Sequence, residues 1–310
     1  MASTKSLANK AHYETMARSP KPAAPEEAIE FNDIHWTALT AEPRGVDYLE
    51  VDADGVAAMW IVPKGAAHDR VVLYAHGGGF VSGSIYTHRK MVGHLAKAAG
   101  CRALIFAYEY AHQAKLPAQV ETMLQVHSWL RRQAISPDRI AMAGDSCGAI
   151  LVFGALQRLR TEGEPLPAAA MILSGWLDLA LTGTSYERNR GQDVFFERSA
   201  VQWLVTNILG DHDPRDSYVS PLYADLSGFP PIYLQAGSDE TLVDESRMFA
   251  ERAKHAGIDV RLDVFPDMLH SFQMMAGRAP EADDAIARLG DWVRPKLGLP
   301  SRGHTRSGDA

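Results

Sequence analysis

The chain has 310 residues, of which 46% are hydrophobic and 22% charged, and its formal net charge is −7. This composition is typical of a globular protein with a sizeable core, and no basic block would follow a phosphate backbone, which argues against nucleic-acid binding. Two cysteines are too few for a disulfide framework and indicate a reducing compartment.

The N-terminal segment has no apolar h-region, and no apolar run in the chain is long enough to span a bilayer. We therefore expect neither a signal peptide nor a membrane partner. The expected location is the cytoplasm.

The first predicted elements are a short helix and a hairpin. Residues 10–18 have helical character, and the prolines within residues 19–25 end that helix. Residues 46–52 alternate as a half-buried strand does, Asp54-Gly55 is a hairpin signal, and residues 56–62 predict a second strand. The main domain thus opens with an antiparallel pair.

Short apolar runs then alternate with helical patterns. The predicted strands are residues 70–75, 101–108, 140–143, 168–173, 231–236 and 259–265. The predicted helices are residues 88–99, 117–133, 150–161, 244–256 and 281–293. This alternation is typical of an α/β fold with parallel strands buried on both faces, and it predicts about eight strands in a mostly parallel sheet with helices on both sides.

Residues 176–226 interrupt the alternation with an aromatic-rich stretch between two core strands. Insertions at the carboxyl ends of parallel strands lie where α/β proteins bind ligands. We therefore divide the chain into an N-terminal cap segment (1–45), a catalytic domain (46–300) with a cap insertion at 180–220, and a disordered tail (301–310).

Ser146 stands between Gly144 and Gly148, where a predicted strand meets a predicted helix. A serine hydroxyl needs a fixed geometry and a base to act as a nucleophile, and small flanking residues allow a sharp turn that exposes it. The alternative is an ordinary turn in which serine is tolerated. The strand–turn–helix context favours the nucleophile.

The run HGGGF, which begins at His76, follows the strand that ends at Ala75. Uncovered glycine amides bind anions, so this run is either a phosphate loop, a plain turn or an oxyanion hole. A phosphate loop lacks its Lys-Ser/Thr pair here. We predict an oxyanion hole formed by the amides of Gly77, Gly78 and Cys147.

A nucleophilic serine needs a base and an acid later in the chain. Asp239 and His270 each follow an apolar run, and we predict them as acid and base. Asp244 and Asp267 are rival acids, and Glu240 is expected to cap the next helix. The chain has no H-E-x-x-H or CxxC pattern, so no metal site is predicted.

The stretches HGGGF, GDSCGA, GSDE and LHSF together resemble the hormone-sensitive-lipase-like branch of the α/β-hydrolases, from about residue 46 onward. Later stretches look like its bacterial carboxylesterases and monoterpene ε-lactone hydrolases. The resemblance implies an α/β-hydrolase fold and a serine esterase that works through an acyl-enzyme without a cofactor. It also implies the same catalytic and oxyanion residues, a cap over the site and a homodimer.

The chain departs from the family pattern in two places. Cys147 and Ala149 stand where the family usually has GDSAGG, and Glu109 and Gln113 stand where it often reads YRLAPE. Donation by the backbone of residue 147 does not depend on its side chain. The thiol beside the serine suggests sensitivity to oxidation, or else a small apolar filler.

The aromatic cap carries no evident charged anchor, which suggests a small, uncharged, apolar ester or lactone as substrate. The candidate pocket walls, each of which is equally well explained by packing within the cap, are Phe80, Trp176, Phe195, Phe196 and Trp203. Other functions that the sequence leaves open are a lactone hydrolase proper, an acyltransferase, a peptidase and a ligand-binding protein without catalysis.

Overall fold

An eight-stranded sheet runs through the computed structural model, which describes residues 2–19 and 25–301. Its strands are β1 (Val46–Asp52), β2 (Ala57–Pro63), β3 (Ala67–Ala75), β4 (Cys101–Phe106), β5 (Ile140–Asp145), β6 (Ala169–Leu173), β7 (Ile232–Gly237) and β8 (Val260–Phe265). Their order in the sheet is β1-β2-β4-β3-β5-β6-β7-β8. β2 pairs antiparallel with β1 and β4, and all other pairs are parallel. The predicted α/β architecture is confirmed.

Helices lie on both faces of the sheet. The α-helices are α1 (Thr4–Arg18), α2 (Pro25–Leu39), α3 (Ile85–Ala99), α4 (Ala118–Arg132), α5 (Gly148–Thr161), α6 (Ser185–Arg188), α7 (Arg198–Leu209), α8 (Val243–His255) and α9 (Pro280–Lys296). Short 3₁₀ turns occur at Pro137–Arg139, Pro221–Tyr223 and Phe272–Met275. Within the described residues, no helix combines the length and the apolarity that crossing a bilayer requires.

The core forms two apolar layers, one on each side of the sheet. One layer contains buried side chains of α4, α5 and α8, and the other contains those of α1, α2, α3 and α9. The strands between them are buried on both faces, which is why they read as continuous apolar runs rather than as alternating patterns. The predicted hairpin is also present: Asp54 and Gly55 both have positive φ, as a two-residue turn with this twist requires.

Three elements depart from the predictions. α1 begins at Thr4, six residues before the predicted start, because the carboxylate of Glu281 on α9 accepts hydrogen bonds from the hydroxyls of Ser3 and Ser6 and holds this first turn. α2 follows the proline segment, of which residues 20–24 lie outside the described part of the chain. α7 lies inside the insertion, for which no helix was predicted. Residues 302–310 of the predicted tail also lie outside the described residues.

His127 is buried on the inner face of α4. Burial, aided by the charge of Arg131, lowers the pKa of this imidazole to about 4. The unfolded chain therefore binds a proton at His127 below pH ~6.5, whereas the folded protein does not until the pH approaches the lowered value. Stability is consequently lost as the pH falls through this window.

We predict that His127→Leu weakens the pH dependence of stability. Between pH 7.5 and pH 5, the wild type should lose about 2 kcal/mol more unfolding free energy than the variant, because only the wild type has this group. Urea unfolding at both pH values measures the difference. Other buried groups, such as His76, contribute equally to both proteins and therefore cancel in the comparison. Equal pH dependences of the two unfolding free energies would contradict the prediction.

Candidate active site

Ser146 lies on a sharp turn between β5 and α5. Its φ is +50°, and its amide donates to the carbonyl of Leu173 at 3.0 Å. A Cβ on Gly148 would lie 2.2 Å from the carbonyl oxygen of Ala75, and one on Gly144 would lie 2.7 Å from the carbonyl carbon of Gly148. Both glycines are thus required by the close approach of β3 to the turn, as the motif predicts.

Two other loops meet this turn at the carboxyl edge of the sheet. His270 follows β8, and the hydroxyl of the next residue, Ser271, lies 3.5 Å from the carboxylate of Asp145, which precedes Ser146. The amide of Ser271 donates to the hydroxyl of Ser174, just after β6, at 3.0 Å. These bonds place the loop that carries His270 next to the turn that carries Ser146, and both side chains are buried.

The carboxylate beside His270 is that of Glu240. Its Oε2 lies 3.2 Å from Nδ1 of the imidazole, and both side chains are almost completely buried. The other ring nitrogen, Nε2, is buried and has no hydrogen-bond partner among the residues described. Burial raises the pKa of Glu240, and hydrogen bonds from His270 and Ser174 offset only part of that increase. The buried carboxylate of Glu240 thus orients the ring, and Nε2 remains able to exchange a proton.

The predicted acid, Asp239, makes its described hydrogen bonds away from His270. Its amide donates to the carbonyl of Met268 at 3.0 Å, and its Oδ1 accepts a hydrogen bond from the Ser238 hydroxyl at 2.8 Å. The side chain lines a different cavity of about 320 Å³, between α1 and the loop before His270. Adjacent residues in this loop point in different directions, so Glu240, which was expected to cap α8, reaches the histidine instead.

The glycine loop after β3 is held by the same edge. Gly78 has a φ of +124°, and a Cβ there would lie 1.9 Å from the carbonyl oxygen of Ser82, so only glycine fits. The amide of Gly77 donates to Oδ1 of Asp145 at 2.9 Å. The Gly77 hydrogen, which was predicted to bind an oxyanion, is therefore used by this carboxylate. The amides of Gly78 and Cys147 have no such partner among the described residues.

Asp145 is a functional residue that the sequence reasoning missed. It is buried and accepts hydrogen bonds from the Tyr74 hydroxyl at 2.8 Å and from Gly77, and His88 Nε2 lies 3.4 Å away. Burial raises its pKa, but His88, the Tyr74 hydroxyl and His76 together outweigh this effect and leave the pKa lowered. Its position inside the G-x-S-x-G motif, directly before the serine, could have identified it from the sequence.

The cap contacts the histidine directly. The ring of Phe196 lies 4.3 Å from that of His270 at an angle of 60°, and the Tyr13 hydroxyl on α1 donates to the carbonyl of His270 at 2.8 Å. Tyr13 also packs against Trp36 and Phe195. This second missed residue, Tyr13, links the N-terminal helix to the base.

The other predicted pocket walls have different outcomes. The amide of Trp176 donates to the carbonyl of Ser146 at 2.9 Å, so this buried residue lies beside the turn. Phe80 is buried against Tyr108. Trp203 is 58% exposed and lies on the opposite face of α7 from its buried residues, so it does not pack with the buried side chains of that helix. Leu204, the next residue, is the one that packs over Gly79.

Known proteins are similar to this chain over most of its length. A family model described as alpha/beta hydrolase fold matches residues 72–274. An acetyl-hydrolase of Streptomyces hygroscopicus is 36% identical over 296 residues, which are 90% of this chain and 98% of that protein. An esterase of Acinetobacter venetianus is 34% identical over 74% of this chain and 76% of its own.

Solved structures are similar over nearly the whole chain. The crystal structure of an esterase from the bacterial hormone-sensitive lipase family is 39% identical, covers 96% of this chain and 100% of its own, and has a TM-score of 0.92. A structure of EstE5 soaked with p-nitrophenyl butyrate is 30% identical over the same shares, with a TM-score of 0.88.

The turn at Ser146 provides a stability prediction. Gly148→Ala should lower the unfolding free energy by about 1–3 kcal/mol, because a Cβ there meets backbone that cannot move aside. Gly183→Ala is the matched control, since its Cβ would find only ordinary contacts, the nearest at 3.4 Å. Urea unfolding of both variants measures the effect. Equal stabilities of the two variants would show that the turn has room for a side chain.

Proposed function

Because this chain belongs to the α/β-hydrolases, in their hormone-sensitive-lipase-like branch, and is a carboxylic ester hydrolase, we propose that Ser146, His270 and Glu240 form its catalytic triad. The observation that carries the proposal is the placement of His270, with Nδ1 on a buried carboxylate and Nε2 without a partner, at the strand edge that presents Ser146. This arrangement is what a serine nucleophile needs from its base.

The proposed reaction has two steps. Ser146 Oγ attacks the ester carbonyl carbon while Nε2 of His270 takes the hydroxyl proton, and the carbonyl oxygen becomes an oxyanion. The C–O bond to the alcohol then breaks, and the imidazolium gives its proton to the leaving oxygen. In the second step water attacks the acyl-serine ester, again through His270, and releases the acid and the serine hydroxyl.

Two backbone amides are proposed to hold the oxyanion. Gly78 and Cys147 flank the serine from β3 and from the start of α5, and their N–H groups are not used by other described residues. Such donors stabilise charge that develops only in the transition state, and removal of one typically costs about 3 kcal/mol. The Gly77 amide instead anchors the loop to Asp145.

The proposed substrates are esters with short acyl chains. Leu204 lies over the glycine loop, with its methyl groups 3.1–3.2 Å from where a Cβ on Gly79 would be, so the cap closes tightly at this point. The 36%-identical relative is an acetyl-hydrolase, which supports the same preference. Lactones undergo the same chemistry with the alcohol still tethered, and they belong in the substrate panel.

The first test compares wild type and Ser146→Ala on p-nitrophenyl acetate, butyrate and decanoate. We expect fast hydrolysis of the two short esters by the wild type and a loss of kcat by at least ~10³-fold in the variant, since the nucleophile is absent. Circular dichroism controls for folding. Equal turnover by the folded variant would refute Ser146 as the nucleophile, and faster turnover of decanoate would refute the short acyl preference.

The second test separates the two neighbouring acids. Glu240→Gln should lower kcat by about 10⁴-fold, because the amide no longer selects the right tautomer of His270 or stabilises the imidazolium. Asp239→Asn is the matched control at the adjacent position and should stay within about twofold of the wild type, because the described bond of its carboxylate goes to the Ser238 hydroxyl and not to His270. The reverse pattern would restore Asp239 as the acid.

A further inference from the structure

A loop of the cap (residues 189–196, the cap loop) is bound to the loop that carries the proposed acid (residues 238–241, the acid loop). Asp193 is almost completely buried between them. Its Oδ2 accepts the amide of Thr241 at 2.9 Å, and its Oδ1 accepts the amides of Phe195 at 3.2 Å and Phe196 at 3.1 Å. One carboxylate thus joins the two loops through three backbone donors.

Two further side chains complete this connection. The amide group of Asn189 donates to the carbonyls of Ser238 and Glu240, both at 2.8 Å, so its two hydrogens hold the backbone on either side of residue 239. The Thr241 hydroxyl lies 2.7 Å from the carbonyl of Phe196, to which it donates its hydrogen. The backbone of Glu240 is therefore held from the cap.

The same cap loop places a ring on the histidine. Phe196, whose amide is fixed by Asp193, packs against the ring of His270. Glu240, whose carbonyl is fixed by Asn189, lies 3.2 Å from Nδ1 of the same ring. The position of the acid and the packing of the base thus depend on one set of hydrogen bonds.

We propose that Asp193 is a positioning residue, which acts with Asn189 to align Glu240 with His270 and so makes catalysis depend on the docked cap. The inference rests on the triad proposed above. A small displacement of an aligned group can cost about 10²-fold in rate. Asp193 touches neither the nucleophile nor His270 among the described contacts, so it acts through Glu240 and Phe196.

The test is Asp193→Asn, which keeps the shape but turns one acceptor into a donor that faces backbone N–H groups. We expect kcat to fall by about 10- to 100-fold with KM within about twofold, because alignment is lost while the pocket remains. Asp178→Asn is the matched control. Asp178 is equally buried and accepts hydrogen bonds from the amides of Ala180 and Thr182 and from the hydroxyl of Tyr223, but none of its described bonds reaches the acid loop.

A double-mutant cycle shows whether Asp193 acts through the acid. In a Glu240→Gln background, Asp193→Asn should change kcat by less than about threefold, since residues that act as one unit are not additive. If Asp193→Asn fails to fold, Asn189→Ser removes the two bonds to the acid loop and should lower kcat by about tenfold, again with KM little changed.

The outcomes are distinguishable. An Asp193→Asn enzyme with the kcat of Asp178→Asn, or with the same loss in the Glu240→Gln background, would overturn the positioning role while leaving the triad intact. If the wild type and Ser146→Ala hydrolyse p-nitrophenyl acetate equally, the triad itself fails instead.

Discussion

Asp145 is buried where β5 ends, and its carboxylate accepts hydrogen bonds from the Tyr74 hydroxyl on β3 and from the amide of Gly77. His88 on α3 lies close enough to lower the pKa of this acid despite its burial. A buried carboxylate is costly unless it is paired in this way. Because its partners come from β3, the glycine loop and α3, Asp145 holds the glycine loop against the serine turn.

Residues of the cap contact His270 directly. Tyr13 on α1 bonds the carbonyl of His270, and Phe196 of the cap loop packs on its ring. Asn189 and Asp193 hold the loop that carries Glu240. Elements that are distant in sequence thus together orient the imidazole of His270. A change in the cap is therefore expected to alter the positions of His270 and Glu240 as well.

The departures from the family pattern are accommodated locally. The Thr122 hydroxyl donates a hydrogen bond to the carboxylate of Glu109 at 2.9 Å, and Gln113 Oε1 accepts one from the amide of Tyr110 at 2.8 Å. The side chains of both residues thus have hydrogen-bond partners. Cys147 is buried, and burial raises the pKa of its thiol to about 12. At neutral pH it is protonated and packs as a small apolar group beneath the glycine loop.

The sequence by itself determined which predicted strands are followed by a glycine run, a serine turn, an acid and a histidine. It could do so because buried parallel strands read as apolar runs and tight turns demand glycine, both of which are local. Only the tertiary structure showed that Glu240 rather than Asp239 lies beside His270, that the Gly77 amide bonds Asp145 and that Trp203 is largely exposed. These outcomes depend on which way a loop side chain points and on partners from distant elements such as Asp145 and Asp193, which spacing along the chain does not encode.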